Sequence, residues 1–361
     1  MKYYWRCENR SCHATLITTK CLITNKHSIC SIGKNEHTHS ASIAEQEVRV
    51  FREHVKKRAR EELTPLIVLV EEEMRKLSLS TEAQQLLTLP EHMKAAFGRE
   101  RRKCIPIIPQ SLDFIIPYSY TLTRGHERFL LADEKTTNGG RILIFASNAQ
   151  LNKLFKSAYV FCDGTFATVP SIFNQLYTFH AYHKSQVYPC AFALVSDRKT
   201  SSYEQMIKIL KSTAMEMLTQ FEPIVLMSDF EKSLIKAVKR QLPTTEHKGC
   251  VFHFNQRLHR RLASDGLAIA YRENEEIRKW SRCTMALAFL PPDEVENGWQ
   301  LIKSSAPKKM KHFLRYVEDF WFKSVGINMW NVYSLKFRTN NTCESWHARF
   351  SRRVVTKHPH I

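Results

Sequence analysis

The sequence predicts a mixed fold of the α+β or α/β kind, preceded by a small Cys/His-rich β module and a helical region. Three observations predict it. Two Cys and two His fall at ligand spacing among the first 40 residues, apolar runs of strand length cluster between residues 141 and 227, and helical periodicity dominates on either side of that cluster.

Residues 1–40 are β-leaning and short. Cys7 and Cys12 stand in Tyr4-Trp-Arg-Cys-Glu-Asn-Arg-Ser-Cys12, and His37 and His39 in Glu36-His-Thr-His-Ser40. Two thiolates and two imidazoles make a Cys2His2 set, the kind that closes a tetrahedral structural zinc site and replaces a core too small to form alone. Cys21 and Cys30 are competing ligands. Alternate residues on a strand point the same way, so His37 and His39 can share one metal only if the strand bends or ends there.

Residues 41–139 read as a helical region and linker, a second candidate DNA-binding segment. Val48, Phe51, Val55 and Ala59 recur at spacings of three and four, followed by Leu63, Leu66, Ile67 and Val70. The basic run Arg99 to Lys103 precedes a Pro-punctuated stretch, Cys104 to Pro117, that reads as a linker or irregular docking segment.

Residues 140–361 form the large domain. Arg141 to Ala146 is a short strand and Asn148 to Lys156 a short helix. Three strands follow, Tyr159 to Cys162, Gln175 to Tyr182 and Tyr188 to Val195, then a helix carrying Met206, Ile209, Leu210, Ala214 and Leu218, then the strand Pro223 to Met227. That order implies a mixed sheet with a crossover helix. From about 232 to 332 the chain reads as an all-helical insertion, and the last 20 residues read as one more helix.

Composition narrows the function classes. With 54 Lys+Arg against 35 Asp+Glu the net charge is +19, a footprint that attracts polyanions. More than half of the surplus lies between Glu231 and Ile361, where Arg257, Arg260 and Arg261, and Lys308, Lys309 and Lys311, are the candidate DNA contacts. No apolar run approaches the roughly 18 to 20 residues of a membrane span, so a soluble chain with no membrane partner is expected. Ten Cys without a secretory signal point to a reducing compartment.

Three carboxylates carry the chemistry. Asp163 ends an apolar strand, although Asp163-Gly164 also reads locally as a hairpin turn. Asp229 ends another strand, where it also suits an N-cap for Phe230 to Leu242. Glu344 lies in a first helical turn, where it also suits the capping partner of Asn341. Together they could converge on hard cations such as Mg²⁺, a pair of which serves phosphodiester chemistry. Cys250 and His253, a Cys-x2-His, are too few for a zinc site of their own.

Four blocks, Cys162-Asp-Gly-Thr-Phe166, Ser228-Asp-Phe-Glu231, Gly249-Cys-Val-Phe-His-Phe254 and Asn340-Asn-Thr-Cys-Glu-Ser-Trp-His347, occur in this order. Over roughly residues 140–361 they resemble the MULE (Mutator-like element) transposase domain. The N-terminal Tyr-Trp-Arg-Cys…Cys…His-x-His is similar to a FLYWCH-type zinc finger, N-terminally incomplete because the strand expected before Tyr3 is missing. The resemblance implies an RNase H-like catalytic core with a DDE triad at Asp163, Asp229 and Glu344, holding Mg²⁺ or Mn²⁺. It places the family's Cys-x2-His on Cys250 and His253, with His253 supporting the active site. It further implies a nuclear DNA transposase acting on transposon ends and target DNA, homo-oligomeric when active. The alternative is a domesticated, catalytically inactive DNA-binding protein derived from one.

Overall fold

The computed structural model describes residues 1–21, 26–62, 64–104, 106, 109–166 and 168–354. It divides into two compact units, Met1–Ile107 and Ile108–Ile361.

The first unit begins with an antiparallel sheet in the order β1 (Lys2–Arg6), β2 (Thr15–Lys20), β3 (His27–Ile32). The sheet has one buried polar post, Thr18, whose hydroxyl accepts from the Trp5 indole at 2.7 Å and meets His27 Nδ1 at 2.8 Å. Four helices follow: α1 (Ile43–Glu61), α2 (Leu66–Leu77), α3 (Thr81–Leu86) and α4 (Pro90–Cys104). Ser42 caps α1 by accepting from the Glu45 amide. The periodic positions Val48, Phe51, Val55 and Ala59 are all buried, against Leu69 and Val70 of α2 and Met93 and Phe97 of α4. Arg58 ties the bundle by meeting Glu62, Glu72 and the buried Glu73 at 2.8, 2.7 and 3.0 Å. The basic run Arg99 to Lys103 ends α4, where cations suit the helix dipole. Leu63 lies outside the described residues.

The second unit is built on a seven-stranded mixed sheet. Its strands are β4 (Leu130–Lys135), β5 (Arg141–Phe145), β6 (Tyr159–Thr165), β7 (Gln175–His183), β8 (Gln186–Val195), β9 (Val225–Ser228) and β10 (Glu246–Gly249), in the spatial order β10-β9-β6-β7-β8-β5-β4. β6, β9 and β10 run parallel, and every other pairing is antiparallel. Helices α5 (Asn148–Phe155), α6 (Thr200–Glu216) and α7 (Lys232–Gln241) cover one face, burying Val160, Cys162, Tyr177 and Phe179 beneath Leu154, Met206, Leu210 and Leu234. Along β6 and β7 the alternate residues, among them Phe161, Asp163, Leu176 and Thr178, therefore point to the opposite face. There Trp346 and Phe350 of α14 (Asn341–Val354) pack with Phe192 and Leu194.

Between sheet and α14 the chain folds into a helical body of α8 (Val251–Ser264), α9 (Ala268–Glu273), α10 (Glu275–Ala286), α11 (Val295–Ser305), α12 (Lys311–Tyr316), a π-helical stretch Val317–Val325 and α13 (Ile327–Trp330). It has its own core, centred on the fully buried Trp299, Trp321 and Trp330.

The structure departs from the sequence reading in three places. Asp163-Gly164 is no turn: both residues lie inside the β6–β7 ladder, opposite Thr178 and Tyr177. The tight hairpin forms instead at Lys184-Ser185, both with positive φ (46° and 64°). The segment from 232 is not all-helical, since β10 pairs with β9 and α7 packs on the sheet. Glu246-His-Lys-Gly249 is a polar strand at the sheet's end, with no apolar alternation to betray it. The sheet likewise starts before residue 140, because β4, half of it charged, forms the opposite edge. Of the two readings of the stretch before the sheet, linker or docking segment, the structure shows docking: Arg141 donates to the carbonyls of Leu112 and Phe114 at 2.7 and 2.8 Å. Within the stretch 104–117 residues 105, 107 and 108 lie outside the described residues, as do 355–361 at the end of the expected last helix.

Gly249 closes β10 directly against Phe230; a Cβ there would sit 2.2 Å from the ring. Gly249→Ala should therefore destabilise the protein by about 1–3 kcal/mol, the usual cost of overpacking a filled core. Urea denaturation followed by tryptophan fluorescence measures it, and an unchanged midpoint would show that the ring has room to move.

Candidate metal centres and nucleic-acid interface

The first centre lies in the N-terminal module. The Cys7–Cys12 loop is closed by backbone bonds from Cys7 to Ala14 (2.9 Å) and from Cys12 to Asn9 (3.0 Å), so both thiols turn to one side. His37 and His39 follow the end of β3 in irregular chain, which frees them from the strand geometry that would set them side by side; their rings cross at 85°. Cys7 Sγ lies 3.1 Å from His39 Nε2 and Cys12 Sγ 3.4 Å from His37 Nδ1. All four ligand atoms lie within 4.8 Å of one another. Backbone hydrogen bonds from Ala14 and Thr38 pull the Cys12 thiol down to about 6, which favours the thiolate a metal needs. The donor set and its size fit zinc. Cys30 sits on β3 beside Thr19, away from the cluster, and Cys21 is exposed.

The second centre lies where β6, β9, α8 and α14 meet. Asp163 is the fifth residue of β6 and is nearly buried. Asp229 follows β9 directly; Glu231 rather than Asp229 precedes the first turn of α7, and Asp229 Oδ1 accepts from the Glu231 amide at 3.2 Å. Glu344 lies in the first turn of α14 as its fourth residue, since the helix starts at Asn341, one position past the third-residue place of a capping box. Its Oε1 lies 3.4 Å from Nε2 of His253, in the first turn of α8. Cys250 is fully buried just before α8 and accepts from the Asn340 amide at 3.5 Å. Among the described residues the Cys/His cluster is the one group of three or more potential ligands drawn within 4.8 Å, so the three carboxylates share a region without forming a closed set.

Their electrostatics are coupled nonetheless. Burial, then the charges of Glu231 and Asp163, hold the Asp229 carboxyl above its ordinary range. Burial and Asp163 do the same to Glu344, against the pull of His253 and His347. For His253 burial works against the cation, but its bond to Cys250 and the charges of Asp163 and Glu344 outweigh it and raise the imidazole's affinity for a proton. Two carboxyls disfavoured as anions beside a third describe a site short of positive charge, and a divalent cation bound by oxygen ligands would supply it.

A model of the MULE transposase domain matches residues 159–257. The span runs from the start of β6 into α8 and holds Asp163, Asp229, Cys250 and His253. Glu344 and the Cys/His cluster lie outside it, and the matched part is about a quarter of the chain. No curated protein matches the chain. No helix among the described residues is long and apolar enough to cross a membrane.

The basic groups divide by environment. Lys308, Lys309 and Lys311 are exposed around a turn anchored by the buried Met310, and Arg260 is exposed on α8. Arg257 is half-buried. Arg261 is engaged, with Asp265 at 2.9 Å and the Tyr316 ring 4.9 Å beneath its guanidinium.

Sequence reasoning passed over the polar groups behind Asp163. His347 Nδ1 lies 3.2 Å from Asp163 Oδ2, and its Nε2 lies 3.0 Å from the hydroxyl of Thr178, which His180 Nε2 reaches at 3.0 Å. Two signals were present: His347 follows Glu344 by three residues, one helical turn, and Thr178 and His180 interrupt an apolar strand on a single face.

Two outcomes follow. Elemental analysis of the full chain should find one tightly held zinc, lost on Cys12→Ser and kept on Cys30→Ser; zinc retained in the Cys12 variant would remove this cluster as its site. Burial, followed by the neighbouring His347, pushes the His180 imidazole down to about 3. A histidine neutral in the fold takes up its proton on unfolding, so stability is lost as pH falls from about 6.5, the unfolded value, toward 3, by up to about 1.4 kcal/mol per pH unit. His180→Asn should flatten chemical-denaturation stability against pH in that window, and parallel curves would contradict the assignment.

Proposed function

We propose that this chain is a DNA transposase of the Mutator-like superfamily, cutting and rejoining strands at Asp163, Asp229 and Glu344 on an RNase H-like core. The observation that supports the reading is that Asp229 and Glu344, 115 positions apart in the chain, each feel the charges of Asp163 and His253, inside a unit similar in part to a transposase domain. Antiparallel β6, β7 and β8, continued by parallel β9 and β10, support the RNase H-like reading of the sheet.

Bound Mg²⁺ or Mn²⁺ would activate the attacking oxygen and stabilise the departing one at phosphorus. Asp163 on β6, Asp229 just past the end of the neighbouring β9 and Glu344 in the first turn of α14 would supply the oxygen ligands of these cations. His253 restrains Glu344 through its Nε2 and offsets part of the negative charge when the cations are absent. The phosphate backbone would run over the exposed Lys308, Lys309, Lys311 and Arg260, while the N-terminal module, read as a FLYWCH-type finger, adds DNA affinity.

The test is nicking of a labelled duplex bearing the element's ends, in Mg²⁺, Mn²⁺ and Ca²⁺. Asp163→Asn, Asp229→Asn and Glu344→Gln should each fall to background while DNA binding in chelator persists, because the three act as a unit. Undiminished nicking by Asp229→Asn would remove the triad; a wild type that binds the ends but cuts in none of the three metals would favour the non-enzymatic DNA binder. Neutralising Lys308, Lys309 and Lys311 together should reduce the slope of log K against log[salt] by about 0.9 for each phosphate the protein no longer neutralises, and an unchanged slope would move the DNA path elsewhere.

A further inference from the structure

We propose that His347 is the positioning residue of Asp163: backed by Thr178 and His180, it fixes one carboxylate oxygen and so presents the other to the divalent cation. The inference rests on the metal reading of Asp163 under the proposed function and adds three residues to it.

The geometry is a file of hydrogen bonds. Asp163 and Thr178 are direct partners across the β6–β7 ladder, so their side chains share a face, and His180 stands two residues along on that same face. Above them lies His347 of α14, one turn beyond Glu344. Asp163 Oδ2 to His347 Nδ1 is 3.2 Å, His347 Nε2 to Thr178 Oγ1 is 3.0 Å, and Thr178 Oγ1 to His180 Nε2 is 3.0 Å. All four residues are buried, Thr178 and His180 almost completely.

A hydroxyl has one hydrogen, and this limits the arrangements. The Asp163 carboxylate accepts, so His347 carries a hydrogen on Nδ1. Nε2 of a neutral His347 accepts from the Thr178 hydroxyl at 3.0 Å, and the Thr178 oxygen accepts from His180 Nε2–H; the Asp163 carbonyl, 3.3 Å from the same hydroxyl, is its other acceptor. In the arrangement where Thr178 donates to Nε2, the sheet side favours the His347 tautomer that carries its hydrogen on Nδ1, toward Asp163. Carboxylates that bind metal are themselves oriented by such outer hydrogen bonds, whose loss typically weakens metal binding 10- to 100-fold.

Docking of α14 does not require this file. Trp346 stacks on Phe350 with centroids 4.9 Å apart and lies 5.3 Å from Phe192, while Cys343 is fully buried on the same side of the helix. Apolar packing holds the helix there, and polar groups buried in such a layer are tolerated only when satisfied. The polar file is therefore better explained by what it does to Asp163 than by what it does for the helix.

The experiment is Mn²⁺ binding to the zinc-loaded full chain, without DNA, by calorimetry, together with the ¹⁵N shifts of the histidines. Asp163→Asn should abolish a Mn²⁺ site. His347→Ala should weaken it about 10- to 100-fold, and His347→Asn, whose amide nitrogen falls near the place of Nδ1, should recover most of the loss. Thr178→Val, which keeps shape and removes the hydroxyl, should weaken binding by a smaller factor and shift the His347 tautomer signal. If Asp163→Asn loses Mn²⁺ while His347→Ala binds as wild type does, the file is structural only and the inference fails with the metal reading intact. If Asp163→Asn binds Mn²⁺ normally, the metal reading fails and takes the inference with it. Should His347→Ala unfold, as its melting curve would show, the Asn and Val variants decide: wild-type affinity and tautomer in Thr178→Val overturn the proposal.

Discussion

The second unit depends on an aromatic clasp between sheet and helical body. Phe230 follows Asp229, and Phe254 follows His253; both rings are buried in the helical core. Phe230 meets Trp321 edge-on at 4.7 Å, and Phe254 meets Trp321 at 4.6 Å and stacks flat on Trp330 at 5.3 Å. Each such pair adds roughly 0.5–1.5 kcal/mol beyond burial itself. The consequence is positional. The residue after each polar group is locked into one hydrophobic core, so Asp229 and His253 cannot shift without moving Trp321. Gly249 belongs to the same clasp, because only its missing side chain lets Phe230 lie against the end of β10.

This arrangement explains why a helical body interrupts the sheet-based unit between Asp229 and Glu344. A loop of that length would leave α14 free to wander; a body with its own tryptophan core returns the chain to the sheet at a fixed place. From there Trp346 and Phe350 lay α14 across β8. Glu344 and His347, one turn apart, then face two different partners, His253 on α8 and Asp163 on β6. The region gathers negative charge on rigid elements and answers it only partly with histidines, which is the electrostatic condition for cation binding.

The N-terminal module solves a different problem. Its three strands bury little: the β3 side chains are all exposed, and Tyr4 and Trp5 are largely so. A sheet this thin has little hydrophobic reason to persist, and a metal ion held by the Cys/His cluster would supply the missing constraint by joining the loop after β1 to the chain after β3. The helical region behind it needs no such device, since α1, α2 and α4 share a closed apolar core around Phe51.

Much of this was legible in the sequence, for identifiable reasons. Burial repeats every 3.6 residues in helices and every two in strands, so Val48, Phe51, Val55 and Ala59 announced α1, and the apolar runs announced β6, β7, β8 and β9. The ligand cluster was legible because thiolates and imidazoles are the donors a structural zinc site uses, and the spacing of Cys7, Cys12, His37 and His39 nominates such a site. Edge strands were not: β4 and β10 are held by ladder bonds to one neighbour and carry charged side chains, which leaves no apolar signature. Local sequence also offered a turn at Asp163-Gly164 and a cap at Asp229; pairing of β6 with β7 decided against the first, and the start of α7 at Lys232, after Glu231, against the second. Distance along the chain hid the rest. Residue types and periods are local, so the sequence by itself determined which groups could do chemistry. That Asp163 meets His347, that Thr178 and His180 stand behind it, and that Glu344 meets His253 was decided by tertiary structure alone, because strand register and the docking of α14 are set by the shape of cores built from residues far apart in the chain.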